Sequence, residues 1–210
     1  MFFHIHPANT CHPSHIEPLV QAYGGTLSPW DTRLLSIMRL FEAEKHISVS
    51  PFLSRWSSSP DAYVTNILEV LQNLDPIKVL RTCLFFPAWR RLGGGECVMH
   101  GPNDEHMYDP LFITSLSAQT FVECLPTTAL GWVKVFRTNV VSLLIRCLSS
   151  KDANIREAAA CQLALVWDGV QVSFGSRDIH LYIDSSDHFI RSRRCRKSHR
   201  RCMFSISLRT

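Results

Sequence analysis

The stretch "LSSKDANIREAAACQLALVW", residues 148–167, decides the fold class of this chain. Leu148 closes one apolar run and a short polar break follows. Ile155, Ala158, Ala159, Leu163 and Val166 then recur at helical spacing. Ser150 and Asp152 are each placed to cap that second helix, and its alanines allow close approach to a neighbour. Upstream, over 128–148, Ala129, Trp132, Val133, Phe136, Val140, Leu143, Leu144 and Cys147 form one wide apolar stripe. Lys134, Arg137, Ser142 and Arg146 occupy the remaining positions of what reads as a single long helix. Two apolar helices joined by so short a link cannot bury their faces alone. Stacked helical repeats and an ordinary helical bundle both meet that need.

Working outward, one helix-start device recurs. Ser28-Pro29, Ser59-Pro60, Asp75-Pro76 and Asp109-Pro110 each place a capping side chain before a proline. The Ser or Asp oxygen accepts from an orphan helix N–H, and proline at the first helical position loses no bond there. Asp31 and Asp61 add negative charge to two first turns, which suits the helix dipole. After these starts the apolar spacing stays helical. Leu34, Ile37, Met38 and Phe41 line one face, and Val64, Ile67, Leu68, Leu71 and Leu74 a second. Val79, Leu80 and Leu84 follow Pro76, and Phe112, Ile113, Leu116 and Thr120 follow Pro110. Between them, residues 48–60 are a serine-rich connector whose Phe52, Leu53 and Trp56 are expected to pack down, and 90–110 a loop rich in Gly, Asn and Asp. No strict alternation precedes residue 170, although "GVQVSFGSRDIHLYI" has some β character. The reading is all-α over 1–167, with a disordered or irregular basic tail over 168–210.

Charge follows the same division. Residues 1–167 carry 13 Lys and Arg against 14 Asp and Glu, whereas 168–210 carry 9 against 4. The basic excess therefore sits in the last fifth of the chain. Of the eight cysteines, Cys83, Cys147 and Cys161 fall among apolar neighbours at helical positions, where a thiol behaves as a small hydrophobe. "MFFHIHPANT" lacks the basic start of a secretory signal, and Arg146 cuts the best apolar run short of a membrane span. These features fit a reducing, intracellular setting with no membrane partner.

Several local strings resemble the C-terminal domain of the nucleolar pre-ribosomal-associated protein 1 family. They are "HPSHIEPLVQAYGGTLSPWDTRLLSIMRLFE" at 12–42, "LFFPAWRRL" at 84–92, "YDPLFITSL" at 108–116 and "GWVKVFRTNVVSLLIRCLSSKDANIREAAACQLALVW" at 131–167. The resemblance covers residues 12–167 and stops near Trp167. It implies a HEAT- or armadillo-like α-helical repeat domain without catalytic residues, a cofactor or a small-molecule substrate. It further implies a scaffold in nucleolar assembly of the large ribosomal subunit and in rRNA processing. The implied partners are proteins of precursor particles, pre-rRNA and small nucleolar ribonucleoproteins, in the nucleus and nucleolus. The family's long N-terminal repeat region has no counterpart here. Two other readings stand beside it: a HEAT-type transport or regulatory adaptor that docks peptides in a helical groove, and a fragment joined to an unrelated tail, without activity.

Few residues offer chemistry. The cluster Arg191, Arg193, Arg194, Arg196, Lys197, Arg200 and Arg201 suits nuclear targeting or contact with a phosphate backbone, and equally a solvated run. Cys195, His199 and Cys202 have zinc-ligand types but lack a paired knuckle. His4, His6, Cys11, His12 and His15 share those types, and His12 and His15 are expected to cap or pack a first turn. Arg137 and Asn139 are polar residues within an apolar helix; they mark either a partner-facing groove or a helix edge bonding nearby carbonyls. Trp56, Trp89 and Trp132 are expected in the core or between repeats. "GGGE" at 93–96 lacks the Lys and Ser/Thr of a phosphate-binding loop, and no GxSxG elbow is present.

Overall fold

A computed structural model describes residues 12–57, 64, 66–90, 101 and 104–174. All regular structure among them is helical: α1 (Ile16–Ala22), α2 (Pro29–Lys45), α3 (Ser50–Leu53), α4 (Ile67–Gln72), α5 (Pro76–Leu84), α6 (Pro110–Glu123), α7 (Ala129–Arg137), α8 (Val140–Cys147) and α9 (Ala153–Phe174). One isolated antiparallel bridge, Thr26 to Tyr108, is the sole β contact among the described residues.

The cap-and-proline starts hold at three of four places. Ser28 accepts from the Asp31 N–H, Asp75 from Ile77 and Lys78, and Asp109 from Leu111. Ser59, Pro60 and Asp61 lie outside the described residues. Helix α4 begins instead at Ile67, where Asn66 accepts from the Glu69 N–H. Asp31 does more than face a dipole. Its buried carboxylate accepts from Gly24 N–H and Thr26 N–H, each at 2.9 Å, and from the Thr26 hydroxyl. That latch folds the loop before α2 back onto the helix that follows it.

Helix α6 is the hub. Asp109 at its N-terminus is itself buried. It takes the Arg90 guanidinium at 2.8 Å and gives its own N–H to the Gly25 carbonyl at 2.7 Å. Gly25 adopts φ +67°, and a Cβ there would stand 2.6 Å from the Phe112 ring, so both conformation and space call for glycine. Around this point Tyr23, Trp56, Tyr108 and Phe112 meet at tilted or edge-to-face angles, with ring centroids 4.9–6.4 Å apart. The Trp56 indole N–H is satisfied by the Tyr23 carbonyl.

Two further helices run alongside earlier ones. The Asn139 side-chain amide, at the start of α8, donates to Pro76 O at the start of α5 at 3.0 Å. Beyond the far ends, the Lys151 N–H donates to Ala88 O at 2.9 Å. Helices α5 and α8 are therefore parallel. The same holds for α6 and α9. The Thr114 carbonyl accepts from Gln162 in the first half of α9 at 3.0 Å. At the other end Phe121 packs on Trp132, which lies against Gly169 and Ser173. Parallel packing of equivalent helices is the arrangement expected of stacked repeats.

Three readings of the sequence need correction. The helix expected over 128–148 is two, α7 and α8, broken at Thr138 and Asn139; Asn139 sits at φ 63°. The buried stripe crosses the break as Trp132, Val135, Val140, Leu143, Leu144 and Cys147, whereas Val133 and Phe136, expected on it, are exposed. The α5 stripe is also misread: Val79 and Thr82 are buried, while Leu80 and Leu84 are exposed, as is Trp89. Finally, α9 does not stop at 167 but continues to Phe174, so "GVQVSF" is helical. The remainder of the expected tail lies outside the described residues.

The Gly169–Trp132 contact gives a test. Replacing a helix-interior glycine by alanine ordinarily stabilises by roughly 0.5–1 kcal/mol. Here the added Cβ would lie 2.4 Å from a fully buried indole. Gly169→Ala is expected to destabilise by about 1–3 kcal/mol, the usual cost of overpacking, in urea denaturation. A gain in stability would refute the packing.

Candidate partner-binding surface

The exposed side of the α5–α8 pair combines apolar and basic side chains. Along α5, Ile77, Leu80, Arg81, Leu84 and Phe85 recur at three- and four-residue spacing and all face solvent. Along α8, Ile145, Arg146 and Leu148 do the same. Ile77, Leu84 and Ile145 are 61%, 66% and 58% exposed, unusual values for large aliphatic side chains on paired helices.

The charge of this region is one-sided. Residues 76–90 and 125–151 contain no Asp or Glu, and they carry Lys78, Arg81, Arg90, Lys134, Arg137, Arg146 and Lys151. Arg90 is used internally against Asp109, and the Lys78 ammonium stands 5.6 Å from the centre of the Tyr108 ring. Arg81, Lys134, Arg137, Arg146 and Lys151 are exposed. The two acidic residues that flank these segments serve as helix caps. Asp75 accepts from Ile77 and Lys78, and Asp152 accepts from the Asn154 N–H at 2.8 Å.

The candidates named from the sequence separate clearly. Arg137 is exposed in the last turn of α7, whereas Asn139 is bonded to Pro76 and belongs to the joint between α8 and α5. His12 accepts from the Ser14 N–H, and His15 accepts from the His12 N–H, so both cap a 3-10 turn at Pro13–His15. Among the described residues no three His, Cys, Asp or Glu side chains are grouped as metal ligands would be. His4, His6 and Cys11 lie outside the described residues. So do Cys195, His199, Cys202 and the basic cluster Arg191, Arg193, Arg194, Arg196, Lys197, Arg200 and Arg201.

Cys83 lies at the seam of the pair and is half-buried; Cys147 is buried beside the Thr114 hydroxyl at 3.7 Å. Loss of water pushes both thiols up to about 11, with Arg146 opposing the shift at Cys83 and the Thr114 bond opposing it at Cys147. No described helix is long and apolar enough to cross a membrane. The apolar face of α5 was the element that sequence reading missed. Both faces of the segment carry apolar residues and a cation, Lys78 over the buried Tyr108 ring and Arg81 outside, so spacing alone does not choose between them.

No family model matches the chain, and no solved structure does. Two curated relatives do. The chain is 24% identical over 185 residues to Nucleolar pre-ribosomal-associated protein 1 of Mus musculus, a match spanning 78% of this chain. It is 25% identical over 183 residues to the Homo sapiens protein of the same name, again over 78% of this chain. The chain spans about 8% of the length of either relative. Its curated homologues thus carry the name that the sequence strings resemble.

Two measurements check this geometry. Asn139→Ala removes both the amide bond and a residue suited to positive φ, and is expected to cost about 2 kcal/mol. Asn139→Gly keeps the backbone conformation and should cost about half as much, read from chemical melts. Equal losses would show that the left-handed backbone contributes nothing. The raised thiols set a pH window. A thiol that ionises near 9 when unfolded and near 11 when folded contributes stability that is fully present below about pH 9 and is lost as pH rises toward 11. Iodoacetamide at pH 8 should modify exposed Cys124 well before Cys83 or Cys147, as resolved by peptide mass spectrometry. First modification at Cys147 would contradict its burial.

Proposed function

We propose that this chain is a non-enzymatic platform of ribosome biogenesis, working on large-subunit precursor particles in the nucleolus. The observation that carries the reading is the similarity to the mouse and human proteins named above over 78% of the chain. The parallel pairing of α5 with α8 and of α6 with α9 supports a HEAT- or armadillo-like stack. Such a stack acts by presenting surfaces, here to precursor-particle proteins, pre-rRNA or small nucleolar ribonucleoproteins. A second reading, a transport or regulatory adaptor that docks peptides, is favoured by the exposed apolar rows of α5 and α8.

An RNA–protein crosslinking pull-down from native cells decides between them. The full chain is compared with a form in which Arg193, Arg194, Arg196, Lys197, Arg200 and Arg201 are replaced by glutamine. Enrichment of large-subunit precursor rRNA with both forms is the expected outcome and assigns the contact to the helical domain. Enrichment with the unaltered chain alone moves it to the basic cluster. Cargo or signalling proteins without ribosomal precursors would replace the ribosomal reading by the adaptor.

A further inference from the structure

We propose that the outer face of the α5–α8 pair is a docking site for an acidic amphipathic helix of a partner protein. Two parallel helices, tied at both ends by the Asn139–Pro76 and Lys151–Ala88 bonds, form a fixed double row. Their outer side chains leave an apolar strip, with Ile77, Leu80 and Leu84 on one helix and Ile145 and Leu148 on the other. Exposed rows of this kind take a third helix whose anchors recur at i, i+3, i+4 and i+7. The longer row, Ile77 to Leu84, spans roughly two helical turns, enough for anchors at i, i+3, i+4 and i+7 of a short amphipathic segment.

The charge fixes the chemistry of the occupant. Arg81 stands beside Leu80, and Arg146 beside Ile145, while Lys151 closes one end. No acidic side chain occurs anywhere in 76–90 or 125–151, and flanking Asp75 and Asp152 accept from backbone N–H groups at helix starts. A partner bearing Glu or Asp along the edges of its apolar stripe would match this field; a basic one would be repelled. A phosphate backbone would use the cations and leave the aliphatic residues uncovered. This inference does not depend on the ribosomal reading. Peptide docking can succeed in a chain that never joins a precursor particle, and the reverse holds too.

The test uses the full chain and three fluorescein-labelled synthetic peptides in fluorescence anisotropy. One has leucines on a single helical face flanked by glutamates, the second replaces each glutamate by lysine, and the third scrambles the first so that no apolar face remains. The acidic amphipathic peptide is expected to bind at least about tenfold more tightly than either control and to weaken as salt rises. The double variant Arg81→Glu, Arg146→Glu should lose about tenfold in affinity with an unchanged circular-dichroism melt. Equal binding of the lysine peptide, equal binding of the scrambled one, or no binding of any peptide would overturn the proposal. So would a single-stranded oligouridine that binds through Arg81 and Arg146 while the acidic peptide stays silent. The peptide comparison on the unaltered chain holds even where a variant fails to fold.

Discussion

The burial of α6 is the constraint on which the rest of the structure depends. Ten of its residues, from Pro110 to Phe121, are buried, so the helix is enclosed on nearly every side. Such a helix can carry no unpaired charge and no idle hydroxyl. Thr114 and Thr120 meet this by donating to carbonyls of their own helix. Gln162 of α9 completes the set, accepting from Ser117 at 2.6 Å and donating to Thr114 O. At the N-terminus Asp109 supplies the cap, and Arg90 neutralises the cap. A buried pair of this kind adds little net stability, yet removing one partner typically costs about 3–5 kcal/mol. Arg90, Gly25 and Gln162 are thus each held by what α6 requires of them.

How much of this was legible in the sequence depends on where the determining groups lie. Ser28, Asp75 and Asp109 act on backbone within three residues, and their capping role could be read directly. The break at Asn139 was hidden because its cause is remote: the side chain reaches Pro76, and the apolar phase is kept through the joint. Leu80 and Leu84 have the same spacing as buried leucines elsewhere. Only the neighbours of Val79 and Thr82 decide which stripe turns inward, and the Thr82 hydroxyl is held by Tyr108 O at 3.0 Å. The end of α9 was missed for a similar reason. The sequence "GVQVSF" has β character in isolation, and only the Trp132 ring, packed where Gly169 has no side chain, shows why the helix continues.

The surface follows from the same economy. Acidic residues are drawn into caps and latches, as at Asp31, Asp75, Asp109 and Asp152. The outer faces of α5 and α8 are left with cations among apolar side chains, a composition suited to recognition. Homology to much larger nucleolar pre-ribosomal-associated proteins fits that character.

The two ties between α5 and α8 have a consequence for the order in which the chain can fold. Asn139 meets Pro76 across 63 residues, and Lys151 meets Ala88 across the same separation. Contacts so distant in sequence cannot form until the intervening helices exist, and closing that loop carries an entropic cost that grows slowly with its length. On a ribosome adding roughly 5–20 residues per second, α5 emerges several seconds before its parallel neighbour. During that interval Cys83 and the inner side of α5 have no α8 to rest against. The segment that later offers a finished surface is, while being made, a nascent strip of apolar side chains in need of shielding.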